Sequence, residues 1–398
     1  MKGRWSTFLG DPKLWRGPLL SFLVLTGIVN VLAWRSSVGL HAARLDTLMS
    51  GQGSGPVHTW SSPTPGPPRY DFSVGEEPGT LLATIPDATA RRLIVFSSMS
   101  QAYVVNDRKP GDRVFVEIVD DAIEPDGAGA WGFFAPNLTN EELVLQVLAL
   151  TRTPKTTPAV LVLGLCFDKY RNIDLRPGYR ALLAADPELR KSWAEVASRY
   201  ETSRAQAAAK MRSTLEALAV NSATGEESLS TRWDRRFRTA AGTVFPLVAN
   251  RTELNGYAQQ TLFEVRNAVL RIDPTTKRPI LRARYEMNLE FLDIAIELAE
   301  ERGIEPLLYI VPLNPQASSP YVPAEYDEFK VRMRAEAERY GVRLANFEDV
   351  VPATDWGEFM GGADFKHFRG AGHEATARAL LAEFGDRFRG GAPVGGAR

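Results

Sequence analysis

The feature that most constrains the fold is a continuous apolar segment, residues 159–167, which reads Ala-Val-Leu-Val-Leu-Gly-Leu-Cys-Phe. Pro158 precedes it and Asp168 follows it. A strand with no polar alternation is typical of a parallel sheet that is covered on both faces. The segment therefore predicts an α/β protein built on a buried parallel sheet.

Further segments predict the rest of this sheet. Between Arg92 and Gln101, an apolar, β-branched run ends in Ser-Ser-Met-Ser, and residues 131–137 predict a strand followed by a turn. Residues 305–315 predict a fourth strand, and residues 342–347 predict a short fifth one. Because open α/β sheets bind their ligands at the carboxyl ends of the strands, we expect the functional site where these runs turn polar.

Two helical patterns accompany the strands. Thr139 and Glu142 have the spacing of a capping box at the start of a helix after the second strand. Residues 283–302 predict a surface helix of the main fold. Residues 177–256 are too long for a connecting loop and begin with helical spacing, so they predict a helical insertion. The insertion is interpreted as a cap or docking surface, or alternatively as a helical pair that shields the sheet edge.

Histidine is scarce, which narrows the search for a general base. The chain has four histidines, and His41 and His58 lie near the amino terminus. The base of a globular catalytic site must then be His367 or His373. Asp364 stands three residues before His367, on what we expect to be one short loop followed by a helix. Such an acid can orient the imidazole in a Ser-His-Asp triad.

A triad also needs a nucleophile, and the serines that end the first strand supply one. His373 is expected to be a second-shell or surface residue near the start of the following helix rather than the base. Cys166 is the other possible nucleophile, but its place inside an apolar strand favours a buried structural thiol. A zinc site at Asp364, His367 and His373 is the weaker interpretation, because no cysteine or further histidine completes a cluster. No metal and no cofactor are predicted.

The order of these segments resembles the SGNH (GDSL-type) hydrolases, over roughly residues 91–388. The resemblance is carried by a serine loop, a turn with Asn, a third strand ending in polar residues, and a late Asp-x-x-His. It is most similar to the membrane-anchored branch of teichoic-acid D-alanylation and alginate O-acetylation proteins. It implies a three-layer, flavodoxin-like fold and acyl-ester chemistry.

The chain departs from the family pattern at two places. It has Ser98-Met99-Ser100 where the family has Gly-Asp-Ser, and no Gly-x-Asn-Asp follows the third strand. Aligning Ser98 with the family's glycine makes Ser100 the nucleophile, which we favour, and a shift of two residues makes it Ser98. The residues predicted to bind the oxyanion or the substrate are Asn137, Gln101, Asp168 and Arg171.

The amino terminus predicts a membrane anchor. Residues 17–34 carry no charge and are about as long as a bilayer core requires. Four basic residues precede them: Lys2, Arg4, Lys13 and Arg16. These charges favour a cytoplasmic amino terminus, so the globular part is expected to be periplasmic. A cleaved signal peptide is the alternative.

The predicted domain order follows from these segments. Residues 1–16 are cytoplasmic, residues 17–35 span the bacterial inner membrane, and residues 36–80 form a stem rich in Gly, Pro and Ser. Residues 81–390 form the SGNH-like domain, and residues 391–398 form a tail. The single cysteine permits no internal disulfide, and the net charge of −1 argues against a nucleic-acid partner.

The sequence therefore predicts a membrane-anchored acyl esterase or O-acyltransferase. The family resemblance implies a cell-envelope glycan or glycolipid as acceptor and a membrane-bound O-acyltransferase as partner. A plain esterase has the same chemistry. The alternative from another class is a non-catalytic glycan-binding or assembly subunit of an envelope acylation complex.

Overall fold

A computed structural model gives the fold of the chain, and it contains a five-stranded parallel sheet at its centre. The structure describes residues 59–60, 70–71, 78–83, 85–103, 105–107, 109–135, 137–223, 277–359 and 362–390. The strands of the sheet are β1 (Arg92–Ser98), β2 (Ala128–Phe134), β3 (Val160–Leu165), β4 (Glu305–Ile310) and β5 (Arg343–Asn346). Their order across the sheet is β2-β1-β3-β4-β5, and all neighbouring pairs are parallel.

This order creates a switch point at β1. The chain leaves β1 toward β2 on one side and later returns to β3 on the other side, so the connections diverge between β1 and β3. Flavodoxin-like sheets bind their ligands in the crevice at this point, outside the carboxyl ends of the strands. The serine segment at the end of β1 lies there.

Nine α-helices accompany the sheet in the described part of the chain, besides short 3-10 turns. They are α1 (Pro78–Ala83), α2 (Phe115–Ile123), α3 (Asn140–Leu150), α4 (Pro177–Ala185), α5 (Pro187–Arg199), α6 (Ala205–Ala223), α7 (Arg282–Glu301), α8 (Pro323–Tyr340) and α9 (Gly370–Phe388).

Alternation along β1 shows that helices cover both faces of the sheet. Phe96 packs its ring edge-on against Phe115 of α2 and against Phe388 of α9. Ser97, its neighbour, instead donates a hydrogen bond to the side chain of Gln146 in α3. Because successive strand residues point to opposite faces, α2 and α9 lie on one face and α3 lies on the other. The parallel α/β architecture predicted from the sequence is confirmed.

Two helix predictions meet different outcomes. Thr139 and Glu142 form the capping box at the start of α3, with each side chain bonded to the backbone N–H of the other residue. Residues 283–302 were predicted to form a surface helix; the helix is present, but its surface position is wrong. Helix α7 buries residues on most of its circumference, including Asn288 and Phe291, because it packs against α3 as well as β4.

The insertion predicted over residues 177–256 is described as far as Ala223, and this part shares the core of the sheet. Trp193 of α5 has no exposed surface and donates its indole N–H to the carbonyl of Met211 in α6. Tyr179 of α4 is equally buried and accepts a hydrogen bond from Gln146. Helices α4 to α6 are thus continuous with the core. Residues 224–256 lie outside the described residues.

The segment that carries Asp364 and His367 is a strand, which corrects the predicted loop. Strands β6 (Trp356–Phe359) and β7 (Gly362–Phe368) form an antiparallel hairpin, with Trp356 opposite Phe368. The rings of these two residues pack edge-on and bury the base of the hairpin. The paired residues Ala363 and Phe368 flank Asp364 and His367, which lie in the irregular part of the hairpin between them.

The amino-terminal predictions fall largely outside the described residues. The predicted membrane span at residues 17–35 lies there entirely, as does the predicted tail at residues 391–398. Within the predicted stem, Thr59–Trp60 pairs antiparallel with Tyr70–Asp71. Helix α1 begins at Pro78 and buries Leu81, and the domain boundary at residue 81 stays a prediction. Of the helices the structure describes, none is both long and apolar enough to cross a bilayer.

Candidate active site

The site begins where β1 ends. After Ser98, Met99 continues in extended conformation, and a single 3-10 turn covers Ser100–Ala102. Met99 is buried while Ser100 is partly exposed, so the turn anchors itself on Met99 and presents the hydroxyl of Ser100 at the carboxyl edge of the sheet.

The structure brings Ser100, His367 and Asp364 together. The Oγ atom of Ser100 lies 3.0 Å from Nε2 of His367. The other ring nitrogen of His367, Nδ1, lies 2.9 Å from Oδ2 of Asp364. Both distances are in hydrogen-bond range, and the three groups form a chain from hydroxyl to imidazole to carboxylate. This is the relative placement that nucleophile, base and orienting acid require.

The carboxylate of Asp364 is buried but well supplied with donors. Its Oδ1 accepts hydrogen bonds from the backbone N–H groups of Lys366 and His367, at 3.0 and 3.2 Å. Burial raises the pKa of Asp364, but the hydrogen bonds and charge of His367 and these two N–H groups outweigh it and lower the pKa below its ordinary value. Asp364 is therefore ionised at neutral pH, and its carboxylate favours a proton on Nδ1 of His367.

Asparagine side chains hold this carboxylate and its strand. The amide of Asn106 donates to Oδ2 of Asp364 at 3.3 Å and to the carbonyl of Glu358 in β6 at 3.0 Å. Asn314, which follows β4, donates its side-chain amide to the carbonyl of Asp364 at 2.8 Å. Its backbone N–H donates to the carbonyl of Phe365 at 2.9 Å. Strand β7 is thus tied both to the β1 side and to the β4 side of the site.

Gln101 adds a third amide. Its Nε2 donates to the carbonyls of Pro312 and Lys366 at 2.6 and 2.7 Å. Both side-chain donors are therefore used within the protein. The backbone N–H groups of Ser100 and Gln101 open the 3-10 turn, so neither has an acceptor inside it. These N–H groups, rather than the Gln101 side chain, are the ones that can face an oxyanion.

The alternative nucleophile Ser98 is placed differently. It is 1% exposed, and its hydroxyl is hydrogen-bonded to the phenol of Tyr309 in β4. A Cβ on Gly164 would clash with Oγ of Ser98, which shows how closely β3 covers this side chain. No hydrogen bond joins Ser98 to a histidine in the described part of the chain. Ser100 is the serine that reaches the imidazole.

Cys166 and His373 are also buried away from the Ser100 hydroxyl. The Cys166 thiol lies 3.7 Å from the hydroxyl of Tyr321, and burial raises its pKa, which disfavours the nucleophilic thiolate. His373 is fully buried in the first turn of α9, where Nδ1 accepts the backbone N–H of Phe115. His373 was expected behind the catalytic residues or at the surface, but it lies in the core with its ring against Phe368.

The remaining predicted site residues line the neighbouring strand ends. Asn137 is exposed with φ of 49°, in a turn that starts where the N–H of Ala135 bonds to the carbonyl of Ser98. Asp168 follows β3 and is nearly buried, and the ammonium of Lys366 lies 3.4 Å from its Oδ2. Asp168 belongs to the 3-10 helix Phe167–Arg171, and Arg171, its last residue, is partly exposed. Their contact with substrate stays a prediction.

The sequence did not predict that Asn106 contacts the carboxylate of Asp364, or that Lys366 lies beside Asp168. Asn314 carries the same signal as the predicted residues, since it is a polar residue just after a strand. Asn106 lies in an irregular segment and has no such signal. Among the described residues, no group of three or more His, Cys, Asp and Glu side chains is arranged to hold a metal ion.

Comparison with known proteins gives a likeness of fold only. No protein-family model matches the chain, and no curated protein is similar to it at a significant level. Among solved structures, a GDSL-like lipase from Bacteroides thetaiotaomicron is 10% identical, with 78% of this chain and 94% of that chain covered and a TM-score of 0.35. A protein of Bacteroides fragilis with a provisional acylhydrolase assignment is 11% identical, with the same coverage and a TM-score of 0.35. At these TM-scores the likeness adds no argument to the topology and geometry described above.

Proposed function

We propose that the protein is a serine esterase or O-acyltransferase of the SGNH type, with Ser100 as nucleophile. One observation carries the proposal: the continuous hydrogen-bonded chain from Ser100 through His367 to Asp364 at the switch point of the sheet. A neutral imidazole with its proton on Nδ1 has a free lone pair on Nε2. That lone pair faces the serine hydroxyl, so it can accept the hydroxyl proton as the bond to carbon forms.

The proposed reaction has two balanced halves. In the first, Oγ of Ser100 attacks the ester carbonyl and its proton passes to Nε2 of His367. The tetrahedral intermediate collapses by breaking the carbon–oxygen bond to the leaving alcohol, which takes the proton from Nε2. In the second half, water or an acceptor hydroxyl attacks the acyl-serine and gives its proton to Nε2, which returns it to Oγ as the acyl bond breaks.

The oxyanion needs donors, and the backbone N–H groups of Ser100 and Gln101 are the proposed pair. Asn137 is the proposed further donor, because its turn begins beside the carbonyl of Ser98. Each well-placed donor contributes about 3 kcal/mol to the transition state in enzymes of this kind. Asp168 and Arg171, at the end of β3, are proposed to contact the acceptor side of the substrate.

The acceptor and the location are proposed from the sequence alone. The uncharged segment at residues 17–34 and the basic residues before it support a membrane-anchored, periplasmic protein. The family resemblance supports an envelope glycan or glycolipid as acceptor and a membrane-bound O-acyltransferase as partner. The full-length protein is expected to remain in the membrane fraction after a high-salt wash. Recovery in the soluble fraction, starting near residue 43, would indicate a cleaved signal peptide instead.

Hydrolysis of p-nitrophenyl acetate by purified protein tests the chemistry. Ser100→Ala and His367→Ala are each expected to lower kcat by at least about 10⁴-fold, as loss of a triad member does elsewhere. Ser98→Ala is the matched control and is expected to keep most of the activity, since that hydroxyl is buried against Tyr309.

Two outcomes would contradict the proposal. Equal activity in wild type and Ser100→Ala, with both proteins folded, removes Ser100 as the nucleophile. No hydrolysis and no acyl transfer by the folded wild type, in the presence of alcohol acceptors, supports a non-catalytic binding subunit. Partition of the acyl group between water and an added glycan hydroxyl separates hydrolase from transferase.

A further inference from the structure

The Gln101 amide connects three segments of the candidate active site. Gln101 immediately follows Ser100, and its side chain is only 5% exposed. One of its acceptors, the carbonyl of Pro312, lies just past β4, and the other, the carbonyl of Lys366, precedes His367 on β7. An amide –NH₂ group has two hydrogens, so one side chain satisfies both carbonyls and uses its full donor capacity.

We propose that Gln101 is a positioning residue that sets the distance between Ser100 and His367. The inference rests on the proposed function, because that distance matters only if the serine gives its proton to the imidazole. Gln101 is covalently next to the serine, and Lys366 is covalently next to the histidine. The 2.7 Å bond between Gln101 and Lys366 therefore joins the residues that adjoin Ser100 and His367, whose side chains are 3.0 Å apart.

Without this bond, each side keeps contacts of its own, and Asn106 still joins them farther from Ser100, through Asp364 and Phe368. On the β7 side, Asn314 and the pairing with β6 remain. On the serine side, the 3-10 turn keeps its own backbone bonds, from Ala102 to Met99 and from Tyr103 to Ser100. Each side is thus expected to stay folded while the gap between them loosens. A displacement of about 1 Å at the reacting atoms can cost on the order of 100-fold in rate.

The test compares Gln101→Met with Gln146→Met. Methionine has about the length of glutamine but no donor. Gln146 is a matched control because it is 1% exposed and its amide also makes two donations, to the carbonyl of Phe133 and to the hydroxyl of Tyr179. Both variants lose buried hydrogen bonds, but only Gln101 touches the segment that carries the base.

Gln101→Met is expected to lower kcat for p-nitrophenyl acetate by about 100-fold, with KM changed by no more than about threefold. The rate at which a fluorophosphonate labels Ser100 is expected to fall with kcat. Gln146→Met is expected to lower the thermal midpoint but to keep kcat per folded molecule. If both variants lose the same fraction of kcat, the role of Gln101 is structural and the proposal is wrong.

A measurement that needs no catalysis separates this proposal from the proposed function. With four histidines in the chain, the ¹⁵N signals of His367 can be assigned by comparison with His367→Ala. The Nε2 shift is expected to move toward that of an unbonded acceptor in Gln101→Met but not in Gln146→Met. If the Nε2 shift moves in Gln101→Met while the wild type shows no esterase activity, the positioning role is supported and the proposed ester hydrolysis is contradicted. If the Nε2 shift of His367 is the same in Gln101→Met and wild type, the positioning role is wrong. Should Gln101→Met fail to fold, Gln101→Asn replaces it in the same measurements, because its shorter amide cannot reach both carbonyls.

Discussion

Asp364 accepts hydrogen bonds at both carboxylate oxygens, and the partners of each oxygen decide what its replacement would do. Two backbone N–H groups face Oδ1, while Nδ1 of His367 and the amide of Asn106 face Oδ2. An asparagine here would turn its oxygen to the backbone N–H groups and its NH₂ to the imidazole. Nδ1 would then have to accept, which moves the ring proton to Nε2 and leaves no lone pair for Ser100.

Asp364→Asn is therefore expected to lower kcat by about 10⁴-fold, the size of loss that a wrong tautomer causes in serine proteases. Ester hydrolysis near pH 7 measures it.

The pKa of the native Asp364 carboxylate is lowered, so its ionised form stabilises the folded state at pH values above the ordinary pKa of 3.8. This stabilisation is lost as the pH falls through the lowered pKa. The stability difference between wild type and Asp364→Asn should shrink as the pH falls through that range. A difference independent of pH would contradict the ionised state.

Lys169 is a buried cation beside the same sheet. It has no exposed surface, and its ammonium donates to the carbonyl of Gly164 at 3.2 Å. Burial lowers its pKa from 10.5 to about 8, against the opposing effects of Cys166 and Glu142. Between these two pH values the unfolded chain binds more protons at this site than the folded one. The contribution of Lys169 to stability therefore rises with pH over that window.

Lys169→Met is expected to raise the free energy of unfolding at pH 7 by about 2 kcal/mol. Removing the buried charge stabilises the protein by roughly 3 kcal/mol, and losing the hydrogen bond to Gly164 costs about 1 kcal/mol. Urea denaturation at pH 7 and at pH 10 measures it, and the two proteins should approach each other in stability at the higher pH. A variant that is less stable at pH 7 would mean that the bond to Gly164 outweighs the cost of burying the charge.

At the scale of elements, the β6–β7 hairpin explains how two residues three apart can hold a fixed geometry. The hairpin buries Trp356 and Phe368 together, and the carbonyl of Phe368 accepts the backbone N–H of Asn106. The sequence contained a turn signal here, since Gly361 and Gly362 separate two short apolar segments. The Asp-x-x-His spacing alone predicted the partners but not the strand, because the pairing of β6 with β7 is set by tertiary contacts rather than by either segment.

A second set of contacts joins the loop after α5 to α7 and α8. Nε of Arg204 lies 2.9 Å from Oδ2 of Asp293, and its Nη2 lies 3.1 Å from Glu297 and 2.9 Å from the hydroxyl of Tyr340. Burial raises the pKa of Asp293, the charge of Glu336 raises it further, and the charge of Arg204 opposes both effects. The arginine thus offsets part of the cost of a buried carboxylate.

Arg204→Met is expected to destabilise the protein by about 2 kcal/mol at pH 8. This is less than the loss of a fully buried partner, because Arg339 stays 3.2 Å from Asp293. Because the pKa of Asp293 is raised, the folded state takes up a proton there more readily as the pH falls, so the cost should be smaller at pH 5. Thermal unfolding at both pH values measures it. Arg199→Met is the control, since its pair with Glu301 is exposed and should contribute under about 1 kcal/mol. An equal effect of the two variants would contradict the role of burial.

At the scale of the whole molecule, the apolar runs that end in polar residues predicted the parallel sheet and the edge that holds the site. Each strand's pattern is local, so residues 159–167 could be assigned without any knowledge of their neighbours. The choice between Ser98 and Ser100 could not be made in this way. It depends on Tyr309 and Gly164, which lie on other strands and bury Ser98. The burial of α7 and of Trp193 depends likewise on helices far away in sequence.

Trp193 tests whether α4 to α6 belong to the same folding unit as the sheet. Trp193→Ala removes a fully buried side chain and is expected to lower the free energy of unfolding by about 3–5 kcal/mol. Because its surroundings share one core with the strands, thermal unfolding should stay a single transition at a lower temperature. The kcat per folded molecule should be unchanged, since Ser100, His367 and Asp364 lie on other elements.

Val331→Ala, at a position 63% exposed in α8, is the control and should change stability by less than about 0.5 kcal/mol. Two separate transitions, with only the lower one shifted, would instead make the helices an independent unit, as the predicted insertion implies.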